Sequence, residues 1–197
     1  MERVCATIQY KCQFIAMPFK QLLPAVEADK VDLAIGSIII TPERASQVTF
    51  SSPYFLSRLR FLGREAVQAD KITPKQLINK KIGITDQVFA PALKKLGVND
   101  SQIVIYPQED TLVKALTTGD IQFALVDNAT AVYWHRNSSG NLKVVGDPFA
   151  FGYGMGIAIS IKNASLVKPI NAAVLHYQNS GAFLLDFHKY LATLYDF

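Results

Sequence analysis

Arg44 lies at a predicted helix start, where an arginine side chain can help to bind an anion. Thr41-Pro42 predicts that start, since threonine supplies an N-cap oxygen and proline fits the first helical position. Arg44 then lies in the first turn, beside the positive end of the helix dipole, where a cation is unfavourable. Backbone N–H groups and a guanidinium together suit a carboxylate. The alternative is a solvated arginine without a ligand.

Asp127 carries the opposite charge at a second predicted strand–helix connection. It follows the apolar run Ile121–Val126, a predicted buried strand, and precedes a predicted helix over Ala129–Arg136. A carboxylate there can bind an ammonium group, so Arg44 and Asp127 match the two charged groups of an amino acid zwitterion. The structural alternative is that Asp127 only caps its helix, a role that aspartate often takes.

Phe19, Cys5 and Cys12 are further candidates near the amino terminus. Phe19 lies near the start of an amphipathic helix that continues through Leu22 and Val26, so its ring either faces a ligand or belongs to the apolar face. The only two cysteines have a spacing that fits neither a Cys-x-x-Cys motif nor a zinc site. They are either a small disulfide, which implies an oxidising compartment, or two unrelated buried thiols.

The sequence carries no motif for catalysis, for a cofactor or for a metal. The histidines, His135, His176 and His188, fall in predicted helices and have no neighbouring nucleophile or paired carboxylate. Gly-x-Ser-x-Gly, Walker and His-Glu-x-x-His motifs do not occur. An enzyme therefore has little support from motifs, although residues that are far apart in sequence can still meet in a catalytic site.

Composition and charge pattern give little support for binding to nucleic acid or for spanning a membrane. Half of the residues are hydrophobic and 18% are charged, which is typical of a globular protein. The formal net charge is +4, but the basic residues are scattered and form no stripe with interleaved aromatics, so nucleic acid is not indicated as a partner. No apolar run reaches the roughly 18 residues that span a bilayer.

The elements that position these residues form two predicted α/β units. In the first, strands over Cys12–Met17 and Val31–Ile35 flank a helix, and parallel pairing is the default for such a unit. Because Pro24 belongs in a first helical turn, regular helix is expected to begin a few residues after Phe19. Arg44 is thereby predicted to lie beyond the carboxyl end of a parallel strand, where α/β sheets bind ligands.

The second unit is a predicted run of alternating strands and helices. Its strands are Lys81–Thr85, Ile103–Tyr106 and Ile121–Val126, and their short connections favour a parallel sheet. One extended crossing near residues 55–60 and a glycine-rich return near 146–156 predict a double hinge. Two such lobes are expected to close on a ligand between them.

These motifs resemble the periplasmic polar-amino-acid-binding proteins of ABC importers, namely the lysine/arginine/ornithine, histidine, arginine and glutamine binders. The resemblance covers essentially the whole chain. It rests on the Cys-x6-Cys pair and its spacing to Phe19, on D-L-A-I-G-S-I-I-I-T-P-E-R ending at Arg44, on V-T-F-S-S-P-Y, and on G-D-I-Q-F-A-L-V-D ending at Asp127. It implies the α/β, two-lobed type II periplasmic solute-binding fold, with mostly parallel sheets flanked by helices and a two-strand hinge. Lobe 1 would comprise residues 1–56 and 155–197, and lobe 2 residues 57–154.

The resemblance also implies roles for individual residues, each carried over by position. Arg44 would bind the α-carboxylate of the ligand and Asp127 its α-ammonium. Phe19 would stack on the ligand side chain, and Cys5 would be joined to Cys12. Backbone or hydroxyl groups would come from four further positions, Gly36, Ser37, Ile39 and Thr85.

Three departures from the family pattern bear on specificity and assembly. Ile39 stands where Ser, Thr or Asp is usual, so only its backbone N–H can serve. The loop from Thr85 to Ala90 lacks the usual Gly-Ser/Thr-Thr turn, and Asp86 would repel a carboxylate unless it points away or caps the next helix. A strand and helix that family members have before the cysteine pair are missing, so the chain is expected to be truncated. An uncovered sheet edge would then favour self-association or weak ligand binding.

The expected function is capture of an L-amino acid, arginine or another polar one, and its delivery to an ABC permease in the inner membrane. The expected location is the periplasm or a lipid-anchored extracytoplasmic position, although the chain opens without an export signal. The alternative is a periplasmic cyclohexadienyl or arogenate dehydratase on the same fold, but no general acid stands out. A sensory ligand-binding domain is a third class, which no sequence feature supports.

Overall fold

The structure, a computed structural model, describes residues 1–67 and 71–192 and divides into two compact units. Unit 1 comprises Met1–Ser57 and Gly152–Ala192, and unit 2 comprises Arg58–Phe151. The helices are α1 Glu2–Thr7, α2 Phe19–Glu27, α3 Pro42–Ala45, α4 Pro74–Leu77, α5 Ala90–Lys95, α6 Glu109–Thr118, α7 Asn128–Asn137, α8 Val167–Gln178 and α9 Gly181–Tyr190. The strands are β1 Leu33–Ala34, β2 Thr49–Phe50, β3 Arg58–Arg64, β4 Ile82–Ile84, β5 Ile103–Ile105, β6 Phe123–Asp127, β7 Leu142–Ala150 and β8 Ala158–Ile159.

Unit 2 contains a five-stranded mixed sheet in the order β5-β4-β6-β3-β7. Strand β4 runs parallel to β5 and β6, as the alternating strand and helix pattern predicts. Strand β3 runs antiparallel to both β6 and β7. The carboxyl ends of β4 and β6 therefore meet at one edge, which is where Thr85 and Asp127 are located.

The helices of unit 2 follow from local sequence signals. Helix α6 is amphipathic, and its apolar face covers the sheet. The buried residues of that face are Leu112, Val113, Ala115 and Leu116. It ends at Gly119, whose φ of 90° is a left-handed conformation that glycine adopts without a steric penalty. Helix α4 begins with the predicted capping box, in which the Thr73 N–H donates to Gln76 Oε1 at 2.8 Å.

Unit 1 contains a three-stranded sheet in the order β1-β8-β2, and both of its strand pairs are antiparallel. The expectation of a mostly parallel sheet is therefore wrong for this unit. Leu33 lies opposite Ile159, and Phe50 lies opposite Ala158. The central strand thus comes from far along the chain and joins two segments that are close in sequence. One buried cluster joins this sheet to helix α2: Val26, Ala34, Ile38, Val48 and Ala158.

The predicted strand Cys12–Met17 and its parallel pairing with Val31–Ile35 are wrong. The first segment is not a strand, and β1 pairs antiparallel with β8 instead. Phe14 and Ile15 are 57% and 59% exposed, so this apolar run is not covered within the described residues. An apolar run indicates side chains that are suited to burial, but it does not identify a neighbouring strand. A strand forms only where its backbone N–H and C=O groups find hydrogen-bond partners.

The expected position of Pro24 in its helix is also wrong. Helix α2 begins at Phe19, directly after Pro18, and contains Pro24 in its interior. Proline there removes one helical hydrogen bond, to the carbonyl of Lys20, and Lys20 is exposed to solvent. The helix still buries Ala25 and Val26, so packing against the rest of unit 1 favours the helix despite the proline.

The boundary between the two units in the glycine-rich segment after β7 differs from the predicted lobe boundary. Residues 57 and 152–154, predicted for lobe 2, belong to unit 1. The Tyr153 N–H donates to the Ile40 carbonyl at 2.9 Å, and the Ile40 N–H donates to the Gly154 carbonyl at 2.8 Å. Gly152 and Gly154 have φ values of 65° and 95°, which lets the backbone approach residue 40. Residues 193–197 of the predicted lobe 1 lie outside the described residues.

The two cysteines are joined as the resemblance implies. Cys5 and Cys12 form a disulfide, with their Cα atoms 6.1 Å apart. It links α1 to the segment that leads towards α2. Helix α1 in turn contributes Val4 to a second buried cluster of unit 1, together with residues of β8 and α8.

Candidate functional site

Arg44 is held by the predicted helix start and is buried. Thr41 precedes α3 in an extended conformation, and its hydroxyl oxygen accepts from the Arg44 N–H at 3.3 Å. Pro42 occupies the first helical position. Arg44 is only 8% exposed, so the alternative of a solvated arginine is wrong.

The guanidinium of Arg44 lies between a backbone carbonyl and an aromatic ring. Its Nη1 donates to the Ile39 carbonyl at 3.0 Å, and its Cζ lies 5.9 Å from the centre of the Phe19 ring. Phe19 is the first residue of α2 and is 47% exposed, so it is not an ordinary core aromatic. A cation over an aromatic face is attracted by the ring quadrupole, which orients the guanidinium.

The backbone of Ile39 presents both of its polar groups to the side on which Arg44 lies. Ile39 forms an antiparallel bridge with Met155, flanked by bonds from the Ile40 N–H to Gly154 and from the Gly156 N–H to Ile38. In such a pair, the N–H and C=O of the central residue point away from the partner strand. Because the Ile39 carbonyl accepts from Arg44, its N–H is directed to that same side.

Gly36 and Ser37 form the turn that precedes this segment. A Cβ at Gly36 would lie 2.9 Å from Leu22 Cδ1 and 4.0 Å from Phe19 Cδ2, so the turn passes close to α2. Ser37 has a φ of 56°, and its N–H donates to the Tyr54 hydroxyl at 3.1 Å. Unit 1 thus brings four of the predicted site residues together, namely Phe19, Gly36, Ile39 and Arg44.

Tyr54 supports the turn and was missed by the sequence analysis. Burial raises the pKa of its phenol, and the hydrogen bond from Ser37 offsets part of that rise. The phenol is therefore neutral at physiological pH. Tyr54 is visible in the sequence as the last residue of the V-T-F-S-S-P-Y motif. Its contact with Ser37 depends on tertiary folding, so the motif alone does not predict its role.

Asp127 caps α7 while remaining partly exposed. Its Oδ1 accepts from the Thr130 N–H at 3.0 Å, and its Oδ2 accepts from the Thr130 hydroxyl at 2.6 Å. Asp127 therefore caps its helix, as the structural alternative states. The cap uses two of the carboxylate's acceptor positions, and an ionised carboxylate has about four. Next to it, Asn128 Oδ1 is buried without a hydrogen-bond partner among the described residues.

Thr85 and Asp86 follow β4 at the same edge of unit 2. Asp86 Oδ1 accepts from the Val88 N–H at 3.0 Å and so caps the short 3-10 turn Gln87–Phe89 that leads into α5. Capping of the next helical segment is one of the two arrangements in which Asp86 is not expected to repel a bound carboxylate. Thr85 is partly exposed directly after β4.

The described residues show neither a metal centre nor a membrane-spanning element. Among residues 1–67 and 71–192, no three His, Cys, Asp or Glu side chains are grouped to bind a metal ion. No helix in those ranges has the length and apolar character to cross a bilayer. His135, His176 and His188 lie in α7, α8 and α9, and the His135 Nδ1 lies 2.9 Å from the Leu142 carbonyl.

The fold and these residues define a class of protein. The profile of the bacterial extracellular solute-binding proteins, family 3, matches residues 1–192. The chain belongs to this family. This confirms the predicted α/β type II periplasmic solute-binding fold and the prediction of a binding protein.

Individual relatives are named as arginine-binding proteins. The arginine-binding periplasmic protein of Mannheimia haemolytica is 28% identical over 192 residues, which cover 95% of this chain and 78% of that protein. The putative ABC transporter arginine-binding protein 2 of Escherichia coli strain K12 is 26% identical over 193 residues, with coverage of 96% and 78%. An arginine 3rd transport system periplasmic binding protein from Legionella pneumophila has a similar crystal structure, with a TM-score of 0.84 at 27% identity, covering 96% of this chain and 86% of that one. These relatives are binding proteins, which supports binding over the dehydratase alternative.

Proposed function

We propose that the protein binds an L-amino acid and that Arg44 receives its α-carboxylate. The observation that carries this proposal is a buried guanidinium held by the Ile39 carbonyl and the Phe19 ring. A guanidinium with a fixed orientation can form two parallel hydrogen bonds to a carboxylate. The Ile39 N–H, directed to the same side, is a further donor for that anion.

Phe19 and the turn at Gly36-Ser37 complete the part of the site contributed by unit 1. The Phe19 ring is half exposed, so one part of it is accessible to the ligand side chain. Gly36 lets the backbone run close to Phe19, and the Ser37 hydroxyl is a donor and acceptor for the ligand. The Ser37 N–H is already bonded to Tyr54, so Ser37 contributes through its side chain.

Asp127 and Thr85 are the residues proposed for unit 2. Asp127 binds the α-ammonium, using acceptor positions that the cap to Thr130 leaves unfilled. Thr85 follows the neighbouring parallel strand and offers a hydroxyl. The cap itself supports this role, because the bonds from Thr130 fix the orientation of the carboxylate before the ligand arrives.

The ligand is arginine or another polar amino acid. The names of the relatives from Mannheimia haemolytica and Escherichia coli support arginine as the first candidate. The protein then acts outside the cytoplasm, in the periplasm or attached to a membrane by a lipid, and delivers its ligand to the permease of an ABC importer. The name of the Escherichia coli relative supports that assignment.

A thermal-shift screen of the twenty L-amino acids tests the proposal. Ligand at about one hundred times its Kd stabilises the folded state by about 2.7 kcal/mol. For a chain of this size that corresponds to a rise in melting temperature of about 5–10 °C. D-arginine is the matched control, since it carries the same charges in the wrong configuration. No shift with any L-amino acid would refute the proposal.

A second arm of the screen separates binding from catalysis. Prephenate and arogenate are incubated with the protein and followed by absorbance for the aromatic product. A binding protein leaves both compounds unchanged, whereas conversion would favour the dehydratase alternative.

Self-association is a separate proposal that rests on unit 1. Strand β1 is at the edge of its sheet within the described residues, and Phe14 and Ile15 of the same unit are exposed. An unpaired edge with uncovered apolar side chains favours contact with a second copy. Light scattering coupled to size exclusion should show a dimer or larger species. A monomer of 21.8 kDa at high concentration would refute this proposal.

A further inference from the structure

Ser37 adopts a conformation that its own residue type does not favour. Its φ of 56° lies in the left-handed region, which costs a residue with a side chain about 1 kcal/mol or more. The turn persists because its surroundings fix it. The contact that the structure shows for the Ser37 backbone N–H is the Tyr54 hydroxyl, at 3.1 Å.

Tyr54 is itself fixed from several directions within unit 1. Its backbone N–H donates to the Met155 carbonyl at 2.9 Å, and its carbonyl accepts from Gln178 Nε2 at 3.1 Å. Its side chain packs against a buried cluster of α1, β8 and α8 that includes Val4 and Ile157. The hydroxyl is therefore held at a defined point relative to β8 and α8.

We infer that Tyr54 is a positioning residue for the amino-acid site, acting through the turn at Gly36-Ser37. This inference rests on the proposed function, because it concerns the residues assigned there to the ligand. The hydroxyl accepts the Ser37 N–H, holds the left-handed conformation, and so sets where the Ser37 hydroxyl and the following backbone at Ile39 are presented. Tyr54 does not touch the ligand.

The protonation state of Tyr54 agrees with this role. Its pKa is raised by burial, so the phenol stays neutral over the physiological range and its oxygen remains an acceptor throughout. Positioning by Tyr54 is therefore independent of pH between about 5 and 8. A ligand affinity that follows a tyrosine ionisation in this range would contradict it.

The test removes only the hydroxyl, by Tyr54→Phe. Tyr10→Phe is the matched control, since Tyr10 is an exposed tyrosine of the same unit. Loss of a hydrogen bond that fixes the turn should raise the Kd for the amino acid found in the screen by about tenfold. The control should leave the Kd unchanged. An equal or lower Kd for Tyr54→Phe overturns the inference.

A second variant separates positioning from a general loss of stability. Ser37→Gly adopts a positive φ without penalty, so it needs the Tyr54 contact less. In the Ser37→Gly background, Tyr54→Phe should raise the Kd by less than about threefold. The same tenfold rise in both backgrounds would mean that Tyr54 acts by another route, which overturns the inference.

Nuclear magnetic resonance of the ligand-free protein gives an independent readout. The Ser37 amide signal should shift, and its exchange with solvent should accelerate, in Tyr54→Phe but not in Tyr10→Phe. An unchanged Ser37 amide overturns the inference whatever the Kd values are. If the unsubstituted protein binds no amino acid, the proposed function fails and the inference fails with it. If it binds and Tyr54→Phe binds equally well, only the inference fails.

Discussion

Replacing Arg44 by methionine gives the sharpest test of the proposed carboxylate site. Methionine retains an unbranched side chain but removes the guanidinium that contacts Ile39 and Phe19. A charge-assisted hydrogen bond contributes about 1.5–3 kcal/mol, and a bidentate pair contains two of them. We therefore expect Arg44→Met to raise the Kd for the amino acid by about 100-fold or more.

Arg44→Lys separates the charge from the geometry. Lysine keeps the positive charge but has no planar fork, so about a tenfold rise in Kd is expected. Folding is expected to persist in Arg44→Met, because loss of the bond to the Ile39 carbonyl is offset by removal of a buried charge. Circular dichroism of the ligand-free variants checks this.

Isothermal titration with the amino acid from the screen measures each Kd. Lys30→Met is the control, because Lys30 is an exposed cation of the same unit. The affinity for the amino acid should be highest in the unsubstituted protein, lower in Arg44→Lys and lowest in Arg44→Met. A Kd for Arg44→Met within about threefold of the unsubstituted protein would refute the reasoning, since burial of the guanidinium would then serve structure alone.

Three further predictions concern the other unit, the disulfide and pH. Asp127→Asn should weaken amino-acid binding about tenfold or more in titration while keeping an N-cap, since asparagine caps as well as aspartate does. Cys5→Ala should lower the free energy of unfolding by about 2.5 kcal/mol, the chain-entropy value for the short loop closed with Cys12, measured with denaturant. Hydrogen bonds from Tyr177 and Arg3 lower the pKa of Asp186 below 3.8, so the melting-temperature difference between Asp186→Asn and the unsubstituted protein should be full at pH 7 and shrink below about pH 4.

The helix starts were predictable because their chemistry is local. Thr41 and Asp127 each supply a cap oxygen that accepts from a backbone N–H three residues further along, and the structure shows both bonds. The side-chain type and the spacing are visible in the sequence, and no remote contact is needed for the bond to form. The same holds for the Thr73 capping box.

The sheet of unit 1 was not predictable from the same kind of pattern. Leu33–Ala34 looks like a strand, but its partner Ala158–Ile159 lies more than a hundred residues away, and the default for a strand–helix–strand unit gives the wrong direction. An apolar run shows only that side chains should be buried. Which strand lies beside it, and in which direction, depends on the competition among all strands of the unit.

Motif spacing in the sequence identifies the residues proposed to touch the ligand. It does not identify the residues that hold them in place. In unit 1 the proposed contacts lie within one short stretch, from Phe19 to Arg44, so motif spacing places them together. Their support comes from Tyr54, which bonds to the turn, and from Met155 and Gln178, which bond to the Tyr54 backbone. These three residues lie in three other parts of the chain. A change of ligand within this family therefore need not begin at the contact residues. Substitutions that move the turn at Gly36-Ser37 through Tyr54 would alter the same hydrogen bonds while leaving every contact residue in place.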